Sequence, residues 1–259
     1  MENIQEKLAA HHYKDLSIFQ KKVANQIFPS LPFVTAKFVL DLGCGTGDVT
    51  GAMAANFPND ASIIGIDPDK YRVELAKSKY DHCSNVQFLQ GSAESFPHLG
   101  EEYYDLVFSN FVLHWIPQRT KAFRDIYDSL KPGGMLVMVY ATRETQDPDL
   151  NPYYKWLTSV AKPEEWKKFY MTNKVHELTL EVVCKECSGA GFKIISSTPS
   201  TITAMYATVD VAANYVYGAT HGVVDIREVV KDTSSSLPPL DKNGEVVREV
   251  YYGILFAIK

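Results

Sequence analysis

The strongest constraint on this chain's fold lies at residues 39–50, "VLDLGCGTGDVT". An apolar run closes on Asp41 and then meets three glycines spaced by two, Gly43, Gly45 and Gly47. Glycine tolerates backbone angles that other residues avoid, so such a loop can turn sharply and lie close to a ligand. A strand that feeds through it into a helix brings backbone N–H groups and a helix N-terminus to the same place. The chain is therefore expected to bind a nucleotide-like molecule at the end of a strand.

The surrounding pattern supports a sheet covered by helices. "KFVLDLG", "ASIIGID", "VQFLQG", "YYDLVFSN" and "MLVMVYA" read as strands, separated by helical stretches such as "DVTGAMAANF", "PDKYRVELAKSKY" and "QRTKAFRDIYDSL". Pro68 suits a first helical turn, and "KPGG" reads as a turn. This alternation implies a parallel sheet, doubly wound through right-handed crossovers. The first 35 residues read as helix up to "FPSLPF", where two prolines stop it. After Ala141 the texture changes: "TRETQDPDLNPYYKWLTSVAKPEEWKKFYMTNKVHE" reads as a helical, aromatic lid. The expected division is a helical cap over 1–35, a cofactor-binding core over 36–141, a lid insertion over 142–178, and a return to the core sheet with further pocket elements over 179–259.

Of the 259 residues, 46% are hydrophobic and 22% charged, enough apolar content for a sizeable core. The net charge of -5, with no basic block, disfavours nucleic-acid or membrane partners. The start lacks an apolar signal core, and no apolar run approaches the ~18 residues of a membrane span. Four scattered cysteines fit a reducing, cytoplasmic setting. Cys184 and Cys187 have no second pair and read as helix filler rather than a metal site, and His11-His12 as an exposed pair. No metal is expected.

Three ligands compete for the glycine loop. A P-loop needs G-x-x-x-x-G-K-[ST], which is absent. A dinucleotide fingerprint needs a third glycine where Asp48 stands, and a carboxylate there would repel a pyrophosphate. The remaining reading is a loop for a ligand without phosphate but with a cationic amine. S-adenosylmethionine fits, with Asp41 accepting from its ammonium and Asp67, at the next strand's end, accepting from both ribose hydroxyls. Asp67 can also serve as a helix N-cap before Pro68.

"VLDLGCGTGDVT", "IIGIDPDK", "VQFLQGSAESF", "YYDLVFSNFVLHWI" and "LKPGGML" resemble the consecutive motifs of class I S-adenosylmethionine-dependent methyltransferases. The resemblance implies a Rossmann-like, seven-stranded, mostly parallel sheet, with "AGFKII" and "YYGILFAIK" in its antiparallel edge. It also implies a cofactor shell of Asp41, Gly43, Cys44, Gly45, Asp67, Pro68, Ser92, Ala93, Ser109 and Asn110. Ser92 stands where many members carry an aspartate that reads adenine, and a hydroxyl accepts more weakly than a carboxylate.

Ligands of open α/β sheets bind beyond the strands' carboxyl ends, so the stretch from Ser109 to Trp115 is expected near the reacting methyl group. "LHWI" with "AFRDIY" is similar to insect juvenile hormone acid methyltransferases, bacterial trans-aconitate methyltransferases and carrier-protein malonyl methyltransferases, all of which methylate a carboxylate oxygen. "HHYKDLSIFQKKVA" resembles the start of the juvenile hormone acid enzymes and offers Tyr13, Ser17 and Gln20 over the pocket. A carboxylate is already ionised at neutral pH and needs no general base, so catalysis reduces to alignment and exclusion of water. Gln20 and His114 are expected to donate to one carboxylate oxygen, with Trp115 walling the acceptor.

The lid aromatics, among them Tyr154, Trp166 and Tyr170, are expected to line an apolar pocket. Arg143 is the obvious lid cation, whereas Lys155, Lys167 and Lys168 look like surface charges. The sequence thus points to a small, largely apolar carboxylic acid as the methyl acceptor of a monomer or homodimer. Two alternatives stay open. One is an enzyme acting on nitrogen, a phenol, carbon or a compact polyacid; the other is a binding module that has lost turnover.

Overall fold

The computed structural model describes residues 4–14, 18–232 and 236–259. Seven strands, β1 (Phe38–Leu42), β2 (Ser62–Asp67), β3 (Val86–Gln90), β4 (Tyr104–Asn110), β5 (Leu130–Ala141), β6 (Lys193–Tyr206) and β7 (Val246–Ile258), form one sheet in the order β3-β2-β1-β4-β5-β7-β6. The first five pair in parallel, while β7 runs antiparallel between β5 and β6. This is the doubly wound, mostly parallel architecture expected from the sequence, with the chain's end inserted beside its edge strand.

The central strands alternate between two buried faces, the pattern of a sheet covered on both sides. Val39, Ile63, Leu106, Phe108, Val137 and Val139 join one apolar core. Leu40, Ile64, Val107, Leu136 and Met138 join the other. The described α-helices are α1 (Ile4–Lys14), α2 (Ile18–Ile27), α3 (Asp48–Ala54), α4 (Lys70–Lys79), α5 (Arg119–Ser129), α6 (Pro152–Val160), α7 (Pro163–Thr172), α8 (Leu180–Gly189) and α9 (Val209–Ala219). None is long and apolar enough to cross a membrane among the described residues.

Several local expectations change. The helix after β2 starts at Lys70, and its N-cap is Asp69, whose carboxylate accepts from the Tyr71 and Arg72 amides. Pro68 therefore precedes the helix, and Asp67 is free of capping duty. "KPGG" does not end a helix as a simple turn: it lies inside β5, where the pairing with β4 jumps from Tyr104↔Leu130 to Leu106↔Met135. In the stretch between β5 and α8, α6 is capped by Asn151, which accepts from the Tyr154 amide and donates to the carbonyls of Thr145 and Glu249. One asparagine thus fixes α6 against β7. Sequence reasoning assigned no element to 209–219, yet α9 forms there with Thr208 as its N-cap and packs on α1. Thr208 before an Ala- and Val-rich, proline-free run was the available signal.

Candidate active site

A cavity of about 570 Å³ opens at the carboxyl ends of β1, β2 and β4 and extends beneath α1, α2, α6 and α9. Its two ends differ chemically.

The first end is the glycine loop. Asp41 sits on the Val39 side of β1, and its Oδ2 accepts from Thr50 Oγ1 at 2.6 Å. Burial raises its pKa to about 7, with neighbouring Asp67 adding to the shift and the Thr50 bond opposing it. The Gly43 and Cys44 amides both donate to the Ile66 carbonyl at 2.8 Å, which ties the loop to β2. Gly43 has φ +81°, and a Cβ on it would lie 2.2 Å from a Val112 methyl. Gly47, the residue before α3, has φ +79°, and its Cβ would meet Ala76 and Phe88. Both positions demand glycine for conformation and for space.

Asp67 is buried, and its two oxygens accept from the Gly45 amide at 3.0 Å and the Asp69 amide at 2.9 Å. Burial raises its pKa against the pull of Arg72. Each carboxylate oxygen keeps a further lone pair for a ligand hydroxyl. Asp41 and Asp67 are thus a pair of sealed carboxyls at one end of the cavity, and Asp41 meets no side-chain cation among the described residues. A ligand carrying an ammonium group would supply the missing charge.

Asp48 departs from its expected part. It heads α3, but its carboxylate pairs with Lys21 at 2.8 Å and with Lys79, and accepts from Thr46 Oγ1 at 2.9 Å. Burial pushes its pKa up, and the two lysines outweigh that and hold it low. Its charge is locally neutralised, so repulsion of a pyrophosphate is weaker than the bare sequence suggests. Asp48 removes the third glycine without presenting a free anion.

The second end is aromatic. Phe19, Phe111, Trp115, Tyr153, Tyr154 and Phe169 line it. Phe111, directly after β4, holds φ +60°, an uncommon conformation for a bulky side chain. It points edge-on to Phe19, with ring centroids 5.2 Å apart. Gln20 is only 6% exposed, and its Nε2 donates to the Tyr13 hydroxyl at 3.1 Å and the Tyr215 hydroxyl at 3.2 Å. Its Oε1 has no partner among the described residues, and the donors expected to meet an acceptor carboxylate are instead taken up by the two hydroxyls. Asn110 Nδ2 donates to the Gln20 carbonyl at 3.2 Å, which joins the end of β4 to α2. His114 is buried in a 3₁₀ turn (Leu113–Trp115) with an unpartnered Nδ1. Burial, reinforced by the charge of Arg248 and by His221, lowers its pKa to about 3.

The cavity brings together Tyr13, Gln20, Asp41, Gly43, Cys44, Gly45, Asp67, Pro68, Asn110, His114, Trp115 and Tyr154 of the expected set. Five others stand outside its lining. Ser109 is buried and donates to the Leu42 carbonyl at 3.0 Å, a bond that ties β4 to β1. Ser92 bridges to Ser95 and its hydroxyl accepts from the Glu94 amide, while Ala93 packs in the second core; Gln90 lines the cavity instead. Trp166 backs Tyr154 and Phe169 from behind. Tyr170 stacks on His176 at 4.2 Å, away from the cavity. Ser17 lies outside the described residues.

Other side chains also shift from expectation. Arg143 is exposed and pairs with Glu144 at 3.5 Å, so the lid cation does not reach the cavity. Cys187 packs in the second core from α8. His11 is exposed, but His12 is half-buried and lies edge-on to Tyr217.

Sequence reasoning missed Tyr215 and His221, brought by or just after α9, and Arg248 on β7. For Arg248 a signal existed. Val246, Val250 and Tyr252 are buried and share its face of the strand, so one cation interrupts an apolar row of period two.

Residues 40–138 match the family described as "Methyltransferase domain". The trans-aconitate 2-methyltransferase of Deinococcus radiodurans is 30% identical over 128 residues, 49% of this chain and 46% of the relative. A malonyl-[acyl-carrier protein] O-methyltransferase of a Marinomonas species is 31% identical over 129 residues, 50% of this chain and 47% of the relative. The chain thus aligns with about half the length of the curated relatives it matches. Among solved structures, a putative methyltransferase from Bacillus halodurans shares the fold with a TM-score of 0.64 at 16% identity, covering 92% of this chain and 99% of that one. Residues 40–138 thus match a methyltransferase domain, and the sheet that contains them shares the fold of that putative methyltransferase.

Proposed function

We propose that the protein transfers the methyl group of S-adenosylmethionine to a carboxylate oxygen of a small, largely apolar acid. One observation carries this reading: among the described residues, the basic side chain set in the aromatic end itself, His114, is a weak base, while the cavity's other imidazole, His221, is engaged with Asp69 at 3.4 Å. His114 is held neutral by a pKa of about 3, too weak a base to draw a proton from a phenol or an ammonium. Burial pushes the Tyr13, Tyr153, Tyr154 and Tyr206 hydroxyls well above their usual range, so they stay protonated. An acceptor that arrives ionised needs no base.

The sulfonium supplies an activated methyl group: the O–CH₃ bond forms as the S–CH₃ bond breaks, and sulfur keeps the electron pair. The chain's own residues bind and align. Asp41 holds the ammonium, the Gly43–Gly45 backbone lies along the amino-acid tail, and Asp67 takes the ribose hydroxyls. Gln20 acts through its two partners: it donates both Nε2 hydrogens to the Tyr13 and Tyr215 hydroxyls, which keeps their own O–H groups free to donate to the acceptor carboxylate. The aromatic wall keeps water out, which strengthens these polar contacts. The two relatives, named for an acid and for O-methylation of a malonyl carrier protein, fit an anionic acceptor.

Release of S-adenosylhomocysteine from a panel of acids tests the reading. With S-adenosylmethionine saturating at every pH, the rate is expected to stay flat from about pH 6 to 9, since the acceptor's ionisation lies below that window. A rate that climbs with a pKa near 7 and prefers amines or phenols would replace it.

A further inference from the structure

We propose that Arg248 seats the acceptor's carboxylate, so that one guanidinium, in an otherwise aromatic wall, selects a monoanionic acid with an apolar body. The inference rests on the carboxyl-methylation reading and names the residue that would make it specific.

Among the described residues the charge has no counterion. Arg248 makes no ion pair to a carboxylate among the described residues, whereas Arg72 in the same cavity wall meets Asp69 and donates to the Gly218 carbonyl at 2.8 Å. The one side-chain hydrogen bond Arg248 shows among the described residues is from Nη1 to the Tyr206 hydroxyl, at a long 3.4 Å. Its Nε is sealed from water and has no partner among the described residues. A buried charged donor left in this state is costly, and an anion in the cavity would relieve it.

What surrounds the guanidinium leaves its donors open. Its central carbon lies 5.4 Å from the Phe19 ring, 5.2 Å from Tyr215 and 5.6 Å from Tyr153. Ring faces can stabilise a guanidinium by cation–π attraction, but they do not replace acceptors for its in-plane N–H groups. Those groups form a planar fork matched to a carboxylate. The unpartnered Tyr153 hydroxyl stands by the same guanidinium as a second donor.

The arrangement also discriminates product from substrate. Methylation converts the carboxylate to a neutral ester, which can no longer pair with the guanidinium. Arg248 therefore binds the acid and releases the ester. A compact polyacid would require further cations, and Arg143 is turned away to Glu144.

Calorimetric titration of protein saturated with S-adenosylhomocysteine tests this, using dodecanoate, farnesoate and trans-aconitate, each against its methyl ester. The unsubstituted protein is expected to bind dodecanoate or farnesoate at least about tenfold tighter than the ester, the scale of a charge-assisted hydrogen bond. Arg248→Met should erase that preference while S-adenosylhomocysteine affinity holds, and Arg248→Lys should keep part of it. A preference that persists in Arg248→Met overturns the assignment while leaving carboxyl methylation standing. If the unsubstituted protein favours no acid over its ester, the carboxylate reading falls and this proposal with it. Should Arg248→Met fail to bind S-adenosylhomocysteine, the arginine Nε–H resonances of the intact protein decide, with Arg248→Lys giving the assignment. The Arg248 resonance must move with acid and not with ester; an unmoved resonance also overturns the proposal.

Discussion

The two ends of the cavity are built in opposite ways. The cofactor end comes from one continuous unit, β1 through the glycine loop to α3, braced by its neighbour β2. The acceptor end is assembled from α1, α2, the stretch after β4, α6, α9 and β7, with partners such as Gln20 and Tyr215 lying 195 residues apart. A local unit leaves its signature in a short string of residues. A pocket gathered from distant segments leaves only scattered traces, because most contributors look like ordinary amphipathic positions in their own helix or strand. Substitutions at the cofactor end should therefore act on stability and cofactor affinity, and those at the acceptor end on the acceptor alone.

The largest effect is expected from Gly43→Ala. The new Cβ meets a Val112 methyl at 2.2 Å, and φ +81° is unfavourable for any L residue. Left-handed strain of about 1–2 kcal/mol and overpacking of about 1–3 kcal/mol together lower stability by roughly 2–5 kcal/mol in chemical denaturation. Adding Val112→Ala should recover the steric part and leave the strain. A double variant no better than the single one would show that backbone conformation alone sets the cost.

Asp67→Ala comes next. It is expected to weaken S-adenosylhomocysteine binding by about 1.5–3 kcal/mol, the range for lost hydrogen bonds to a charged group. Part of the loss arises because the Gly45 and Asp69 amides lose their acceptor. Unchanged affinity in calorimetry would remove the ribose assignment.

Asp41→Asn separates stability from binding through pH. Burial raises the folded-state pKa of Asp41 to about 7, so folding takes up a proton between the ordinary aspartate range and that value. Stability conferred by this group falls as pH rises through the window and is level above it. The asparagine keeps an acceptor for Thr50 and has nothing to ionise, so the ligand-free variant should melt higher than its parent at pH 8 and gain little at pH 4. Cofactor affinity responds in the opposite sense. An ammonium favours the ionised carboxylate, so the parent's affinity should climb as pH rises toward about 7, and the variant should lose Asp41's share of that climb. Equal pH profiles would detach Asp41 from the ammonium.

How much was legible follows the same division. The alternation of strands with helices and the glycine loop disclosed the sheet, because short continuous apolar runs and a glycine-rich turn are local properties. Asp41 and Asp67 were readable as strand-end acids. The electrostatic part of Asp48 was misread, because Lys21 and Lys79 reach it from α2 and α4. Trp166 and Tyr170 were grouped with Tyr154 by proximity in sequence. Helical geometry puts Tyr154 at the cavity, Trp166 behind it and Tyr170 against His176. Arg248 went unread because its aromatic surroundings come from α2, α6, β6 and α9.

The smallest effect, and the one that most sharpens the contrast, is expected at Gln20, where the two ends meet. Gln20→Ala removes the donor shared by the Tyr13 and Tyr215 hydroxyls. A neutral hydrogen bond contributes about 1 kcal/mol, so turnover should fall a few-fold with S-adenosylhomocysteine affinity unchanged. Gln20→Glu makes the reading directional. Its shape is nearly that of glutamine, but it sets an anion beside the acceptor carboxylate and accepts the Tyr13 and Tyr215 O–H donors, so acids should bind more weakly than in Gln20→Ala. An amine acceptor would respond with the opposite sign, binding better to the glutamate variant than to the alanine one. A Gln20→Glu variant that binds acids as well as the alanine variant would place the acceptor carboxylate away from α2 altogether.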